Sequence, residues 1–168
     1  MAMAEGTKYE RKYLAHYIDS AFNAATPSYT RLGKDLEDYS INLNPDVESK
    51  KNILGESTTN VKGYSPQGSI ETYYAYKGDP LYERLLEITN ERSTGSKLAT
   101  TVVDVIVDSD GNVESAYRED AIIVPQSIGG SDGIQIPFEI YYNGNRTVGN
   151  FDVTTKKFTP SAAATTES

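Results

Sequence analysis

Apolar and polar residues alternate with a period of two along much of the chain, and this pattern predicts β-strands. Tyr39, Ile41 and Leu43, for example, alternate with polar neighbours, as expected for a strand with one buried and one wet face. This alternation, together with runs of β-branched residues, predicts strands over residues 29–33, 36–44, 69–76, 100–108, 113–125, 134–142 and 147–153. The turn residues Asn143-Gly144-Asn145 predict that the last two of these strands pair as a hairpin.

Residues 9–22 fit two patterns at once. Tyr13, Tyr17 and Ala21, with Leu14 and Ile18, have the spacing of one helical face, but the segment is also rich in aromatic and β-forming residues. The pattern alone slightly favours a helix.

Residues 46–62 hold only four aliphatic side chains, so their two halves cannot both pack on a core. We expect a projecting β-hairpin or extended loop, turning near Gly55, that contacts another subunit. The residues assigned to this arm are Asp46, Glu48, Lys50, Lys51, Asn52, Ile53, Leu54, Glu56 and Lys62. The expected organisation is one domain over residues 1–160, with the arm at about residues 45–66, and a disordered tail over residues 161–168.

One helix is predicted after the arm. Asp79 is a favourable N-cap and Pro80 suits the first helical position. Leu81, Leu85 and Ile88 then form an apolar stripe that must dock on the sheet, because so short a helix is marginal in water.

Composition limits the chemistry that the chain can carry. The absence of Cys excludes disulfides, thiolate nucleophiles and Cys-based metal sites, and the single histidine, His16, excludes a two-His metal site. No Ser lies in a Gly-x-Ser-x-Gly elbow, and the glycines at 129–133 lack the Lys-Ser/Thr of a phosphate-binding loop. We therefore expect no enzymatic activity and no cofactor, and we expect His16 to be a packing or surface residue.

The net charge of −8 is concentrated in one stretch: residues 102–139 contain eight acids and one base, Arg118. Such charge disfavours binding to nucleic acid, although it would let DNA slide past. Acidic runs of this kind are usually a solvated face. The chain also shows no signal peptide and no long apolar run, so we expect synthesis in a cytoplasm and no membrane insertion of its own.

Residues 108–119 match the spacing of a calcium-binding loop at positions one, three, five and twelve. The sixth position, however, is Val113 where that loop needs Gly, and the preceding residues predict a strand rather than a helix. Asp-Gly and Gly-Asn are normal hairpin residues, so a hairpin turn is the favoured interpretation.

The order of several short segments along the chain resembles that found in a known family of proteins. They are Tyr29-Thr30-Arg31-Leu32-Gly33-Lys34-Asp35-Leu36, Asn44-Pro45, Lys51-Asn52-Ile53-Leu54-Gly55-Glu56, Gly63-Tyr64-Ser65-Pro66-Gln67, Tyr73-Tyr74-Ala75-Tyr76, Asp79-Pro80-Leu81, Arg118-Glu119-Asp120, Gly133-Ile134-Gln135-Ile136-Pro137-Phe138 and Gly144-Asn145-Arg146. In this order, over residues 13–160, the chain resembles the major tail tube proteins of long, non-contractile-tailed bacteriophages.

The resemblance implies a mainly β fold: a β-sandwich or half-barrel with one flanking α-helix. Six copies would form a ring whose inner strands join into one continuous β-barrel, and rings would stack into a hollow tube. The resemblance also implies that residues 13–20 form a strand hairpinned with residues 29–32, and we adopt this over the helical periodicity.

A tube subunit of this kind implies a conduit for DNA delivery. The polar residues assigned to the lumen are Asp38, Ser40, Asn42, Glu71 and Tyr73. The implied partners are other copies of the chain, a tape-measure protein, tail-tip and tail-terminator proteins and, transiently, the passing DNA. The implied location is the virion tail. Three alternatives stay open: the inner-tube subunit of a contractile injection apparatus, a carbohydrate-binding or adhesin-like β-module, and a small hydrolase.

Overall fold

The structure is a computed structural model that describes residues 3–22 and 25–161. The predicted disordered tail therefore lies outside the described residues, except for Ser161. The strands are β1 (Leu14–Asp19), β2 (Tyr29–Leu32), β3 (Ile41–Asn42), β4 (Pro45–Lys51), β5 (Ser57–Tyr64), β6 (Gln67–Ile70), β7 (Ala99–Val107), β8 (Val113–Pro125), β9 (Phe138–Tyr142), β10 (Thr147–Asp152) and β11 (Lys157–Pro160). One α-helix, α1 (Pro80–Glu91), and two 3₁₀ turns, Arg11–Tyr13 and Gly95–Leu98, complete the elements.

The main sheet is antiparallel and curls into a half-barrel. Its strand order is β2-β1-β7-β8-β9-β6-β3, and β7 and β8 lie near its centre. Strands β4 and β5 form a separate two-stranded sheet. The predicted mainly β fold with one helix is confirmed.

Both faces of the central strands are buried, in two separate cores. One core places Leu81, Leu85 and Ile88 of α1 against the sheet residues Ile123 and Phe138. The other core covers the opposite face, where Phe151 of β10 packs with Tyr17, Tyr29 and Val103. Alternation along each strand sends neighbouring residues to opposite cores, as Val102 and Val103 show.

Helix α1 begins as predicted. Asp79 Oδ1 accepts a hydrogen bond from the Leu81 backbone N–H at 3.0 Å, and Pro80 opens the helix. Leu81, Leu85 and Ile88 are its buried side chains. The helix ends at Arg92, whose φ of 52° gives the left-handed cap that Gly usually provides.

Residues 14–19 form the strand β1, although the spacing of residues 9–22 slightly favoured a helix. Strand β1 pairs with β2 in the register Asp19↔Tyr29 and with β7 in the register Leu14↔Ile106. The strand implied by the resemblance is therefore confirmed. The helical spacing misled because β1 is covered on both faces, so its apolar residues do not alternate with polar ones.

Three predicted strands differ from the structure. The strand expected over residues 36–44 is regular only at β3, and the strand expected over residues 69–76 ends at Ile70. The strand expected from residue 134 begins at Phe138.

The predicted hairpin between β9 and β10 is wrong. Strand β8 is 13 residues long, and its outer edge pairs first with β9, through Ala121↔Tyr142, and then with β10, through Arg118↔Thr147. Strand β10 instead forms its hairpin with β11, a strand that the sequence did not predict.

The close packing of β6 against Tyr39 gives a sharp stability prediction. A Cβ on Gly68 would lie 2.2 Å from Tyr39 Oη and 2.5 Å from its Cε1, inside the contact distance of real atoms. Tyr39 is itself only 4% exposed, so its ring has little room to move. We expect Gly68→Ala to lower the unfolding free energy by about 2 kcal/mol, a cost typical of overpacking, in urea denaturation.

Gly63→Ala is the matched control, because a Cβ on Gly63 would meet nothing within 4 Å. Its expected effect is below about 0.5 kcal/mol. Equal effects of the two substitutions would contradict the packing described for Gly68.

Candidate functional site

The most prominent surface feature is the hairpin of β4 and β5, hereafter the arm. Its register pairs Val47 with Val61 and Lys51 with Ser57, with an irregularity after Asp46 that twists the hairpin at its base. Residues 51–62 are all exposed. Within the described part of the chain, the arm's strands pair only with each other.

Three charged residues that the sequence assigned to the arm form ion pairs with one another. Glu48 lies 3.0 Å from Lys62 Nζ across the hairpin and 3.6 Å from Lys50 Nζ on its own strand. The hydroxyls of Ser49 and Thr59 also hydrogen-bond across the pair, at 3.1 Å. Exposed pairs of this kind add little stability, so their main effect is to favour this register.

The base of the arm is closed by hydrogen bonds between the two segments that connect it to β3 and β6. Asn44 adopts a left-handed φ of 46°, and its Nδ2 donates to the Ser65 carbonyl at 3.0 Å. Ser65 N–H donates in turn to the Leu43 carbonyl at 3.1 Å. The arm thus leaves the sheet at a defined point between β3 and β6.

The main sheet ends on two short strands that have no outer neighbour among the described residues. Strand β2 is at one end and β3 at the other, with four and two residues respectively. Unpaired strand edges present backbone donors and acceptors that favour pairing with another chain. Pairing of β2 in one copy with β3 in the next would be a head-to-tail contact, the kind that generates rings when it closes.

The residues assigned to a lumen fall into two groups. Asp38, Ser40, Asn42 and Glu71 are exposed. Asp38 and Glu71 line one open depression of about 640 Å³ together with the acids Asp35 and Glu37. The fold therefore brings Glu71 close to three acids that lie 33 residues or more before it in the sequence.

Tyr73 does not share that exposed surface, and its assignment to the lumen stays a prediction. It packs partly buried against the core, 5.5 Å from the Phe138 ring between centroids, and its Oη donates to Asp79 Oδ2 at 2.7 Å. The alternation on which its assignment rested stops when β6 ends at Ile70.

His16, expected to be a packing or surface residue, is buried within a polar network. Its Nδ1 lies 2.6 Å from Asp104 Oδ1, and its Nε2 lies 3.0 Å from Arg11 Nη2. Because a guanidinium can only donate, Nε2 accepts and Nδ1 carries the proton that faces Asp104. Arg11 Nη2 also donates to the Tyr39 carbonyl at 2.9 Å. The network therefore ties the loop after β2 to β1 and β7.

The acids of residues 102–139 are only in part a solvated face. Asp104 holds His16, while Asp108 Oδ1 accepts the N–H groups of Asp110 and Asn112 at 2.9 Å and closes the turn between β7 and β8. Glu119 is 6% exposed and lies 3.1 Å from Arg146 Nη1. The predicted hairpin turn at residues 108–112 is confirmed. Across residues 3–22 and 25–161, no three His, Asp or Glu side chains are grouped to hold a metal ion.

A buried tyrosine pair links the loop after β2 to β9. Tyr39 Oη and Tyr142 Oη hydrogen-bond at 3.1 Å. Burial raises the pKa of both phenols well above the ordinary 10.0, and nearby Asp104 raises both further. Each phenol is therefore held neutral in the folded protein.

This pair predicts alkaline destabilisation with a defined sign. The folded-state pKa lies above the unfolded value, so the stabilisation is complete below about pH 10 and is lost as pH rises further. Tyr142→Phe should reduce the loss by about 1.4 kcal/mol per pH unit above about pH 10, measured by urea denaturation at several pH values. Tyr64→Phe, at an exposed position of the arm, is the control and should leave the slope unchanged. Identical slopes for both variants would contradict this assignment.

Comparison with known structures shows the same fold in components of tail-like assemblies. The tube-terminating cap of the anti-feeding prophage matches with a TM-score of 0.55 and 10% identity, over 87% of this chain and 93% of the cap chain. The sheath/tube terminator of an extracellular contractile injection system matches with a TM-score of 0.56 and 8% identity, over 88% of this chain and 100% of that chain. A chain of the anti-feeding prophage baseplate gives a TM-score of 0.52 and 14% identity, over 84% and 95%.

No protein-family model and no curated protein matches the chain. At identities of 8–14%, the structural matches establish the fold alone. They cover nearly the full length of the matched chains, so the shared unit is the whole domain rather than a common sheet fragment. No helix in residues 3–22 or 25–161 has the length and apolar character to cross a membrane.

Proposed function

We propose that this protein is a structural subunit of a bacteriophage-type tail, and specifically the ring-forming subunit of the tail tube of a long, non-contractile tail. The observation that carries this proposal is the whole-chain likeness to tube-terminating and baseplate proteins. The free edges β2 and β3 support it, as does the arm, which lies outside the main sheet.

The ring is closed by pairing β2 of each copy with β3 of its neighbour. Six copies, the number implied by the resemblance, then join their half-barrels into one continuous barrel. Closure removes the unpaired edges of β2 and β3, which is the usual solution to the aggregation risk of exposed strands. The arm then couples successive rings into a tube.

The acidic depression around Asp38 and Glu71 faces the lumen in this proposal. DNA phosphates are repelled by carboxylates, so the passing duplex would not adhere to the wall. Other partners are a tape-measure protein, tail-tip and terminator proteins, and the location is the virion tail. The proposed role is structural rather than enzymatic, and in it His16 serves to link β1 to Asp104 of β7 and to Arg11.

Removing the lumen charge should slow DNA passage without preventing assembly. We expect particles built from Asp38→Asn/Glu71→Gln to release DNA at least about twofold more slowly, because phosphates would adhere longer to the neutral wall. The measurement is the rate of DNA ejection followed by dye fluorescence. Glu83→Gln/Glu91→Gln removes the same charge from exposed positions of α1 and is the control; an equal effect of both would refute the lumen assignment.

Native mass spectrometry of the purified chain tests the ring directly. The proposal predicts complexes of six 18.5 kDa protomers and their multiples. Only monomers at high concentration would instead support the carbohydrate-binding or hydrolase alternatives.

A second candidate function is a terminating cap in a contractile injection system, which two of the structural matches favour. A cap would form single rings that do not stack with one another, whereas a tube subunit would form stacks of variable length. The distribution of ring multiples in the same mass spectra separates the two.

A further inference from the structure

The tip of the arm presents two aliphatic side chains to solvent. Ile53 is 101% exposed and Leu54 is 77% exposed, whereas a protein of this net charge would normally place polar residues at a hairpin tip. Two neighbouring aliphatics held away from the protein's own core are typical of a contact with another molecule.

The tip is also rigidly built. Asn52 Oδ1 accepts the backbone N–H groups of Leu54 and Glu56, each at 2.9 Å. Asn52 also exchanges backbone bonds with Glu56 and Gly55, and Gly55 adopts a left-handed φ of 86°. This turn orders Ile53 and Leu54 before any contact forms, so binding loses little conformational entropy.

An apolar groove of about 560 Å³ lies elsewhere on the domain, where the first 3₁₀ turn meets the ends of β1 and β7 and the start of β8. Its exposed apolar residues are Tyr9 at 47%, Leu14 at 37% and Ile106 at 37%. The Tyr9 and Tyr13 rings meet edge to face at 6.5 Å and form one wall. The groove is large enough for two branched aliphatic side chains.

One charged residue beside the tip can pair with one at the groove. Lys50 and Lys51 precede the tip, and Lys50 is already paired with Glu48 at 3.6 Å. At the groove Glu10 is paired with Lys12 at 3.5 Å, whereas Glu114 accepts a hydrogen bond from the Tyr9 hydroxyl and has no cationic partner among the described residues. Lys51 of the tip and Glu114 of the groove can therefore attract each other, which orients the approach of one surface to the other.

We propose that the arm tip of one copy seats Ile53 and Leu54 in the groove formed by Tyr9, Tyr13, Leu14 and Ile106 of a second copy. The proposal rests on the proposed function, because it specifies how copies in an assembled tail contact one another.

The absence of Cys makes a direct cross-linking test possible. Ile53→Cys and Ile106→Cys are purified separately, one with a C-terminal tag, mixed, concentrated and oxidised with copper phenanthroline. We expect a mixed disulfide dimer on a non-reducing gel, at a yield about tenfold or more above the control mixture, since a seated contact holds the two thiols close. The control replaces Ile106→Cys with Val148→Cys, because Val148 is similarly exposed at 36% but lies on β10.

Substitution at the tip adds a second readout. Ile53→Asp/Leu54→Asp should leave the protomer folded, since both side chains are exposed, and should raise the concentration needed for assembly by about tenfold or more. Ile106→Asp should raise the concentration needed for assembly by a comparable factor. Equal cross-linking to Ile106→Cys and Val148→Cys, or no cross-linking to either, would overturn the proposal.

Failure of this proposal and failure of the proposed function give different results. Rings or tubes that form without a 53–106 cross-link would overturn the groove assignment and leave the ring proposal standing. A specific 53–106 cross-link without rings or tubes would support the contact and count against the tail-tube function.

Discussion

Replacing Leu85 with aspartate should destabilise the protein by about 4 kcal/mol or more, the sum of a lost core side chain and a buried charge. Leu85 is 0% exposed and lies in the middle of the apolar stripe by which α1 packs on the sheet. A helix of 12 residues is not stable alone in water, so it should undock once this contact is lost. Urea denaturation followed by circular dichroism measures the effect.

Asn90→Asp is the matched control, because it adds the same charge to an exposed position of α1. We expect it to cost less than about 1 kcal/mol, mainly through its place near the negative end of the helix dipole. A loss below about 1 kcal/mol for Leu85→Asp would contradict the docking of α1.

Shortening the arm should abolish ring stacking while leaving a folded protomer. Because Glu48 pairs with Asn60, residues 49–59 can be replaced by Asn-Gly, a two-residue turn that closes the remaining hairpin. The deleted residues are exposed and belong to a separate two-stranded sheet, so the unfolding free energy should change by less than about 1 kcal/mol. The shortened protein should form single rings but no tubes, and analytical ultracentrifugation measures the sizes of the species formed.

The control for the shortened arm is Ser49→Ala/Thr59→Ala, which keeps its length and tip but removes one exposed hydrogen bond across the hairpin. This variant should stack normally. If the shortened protein still formed long stacks, the arm would not be the element that couples rings.

The features that the sequence predicts correctly are those determined by contacts between residues close together in the chain. Asp79 and Pro80 specify the start of α1 through bonds within one turn, and residues 108–112 specify their turn in the same way. Helix α1 and the turn before β8 were therefore predictable without knowledge of the tertiary fold.

The remaining features depend on contacts between residues far apart in the chain. His16 meets Asp104 across 88 positions, and no local pattern marks either as the other's partner. The hairpin turn at residues 143–145 is locally plausible, but the long edge of β8 offers both flanking strands a better partner. The partial burial of Tyr73 against Phe138 is likewise a contact between distant residues, and alternation along the sequence does not reveal it.

The acids concentrated in residues 102–139 are not the ones that form the candidate lumen surface. Asp104, Asp108 and Glu119 have partners within the fold, so they stabilise the domain rather than line a channel. The candidate lumen charge is instead the smaller group around Asp38 and Glu71. The location of an acid in the fold, rather than the local density of acids in the sequence, decides which of them DNA could meet.

Negative-stain electron microscopy of the concentrated, tag-free protein tests the central claim most directly. A tail-tube subunit should give rings with six-fold symmetry and a central channel, stacked into tubes of variable length. A field of isolated monomers at the same concentration would contradict the assignment to a tail tube.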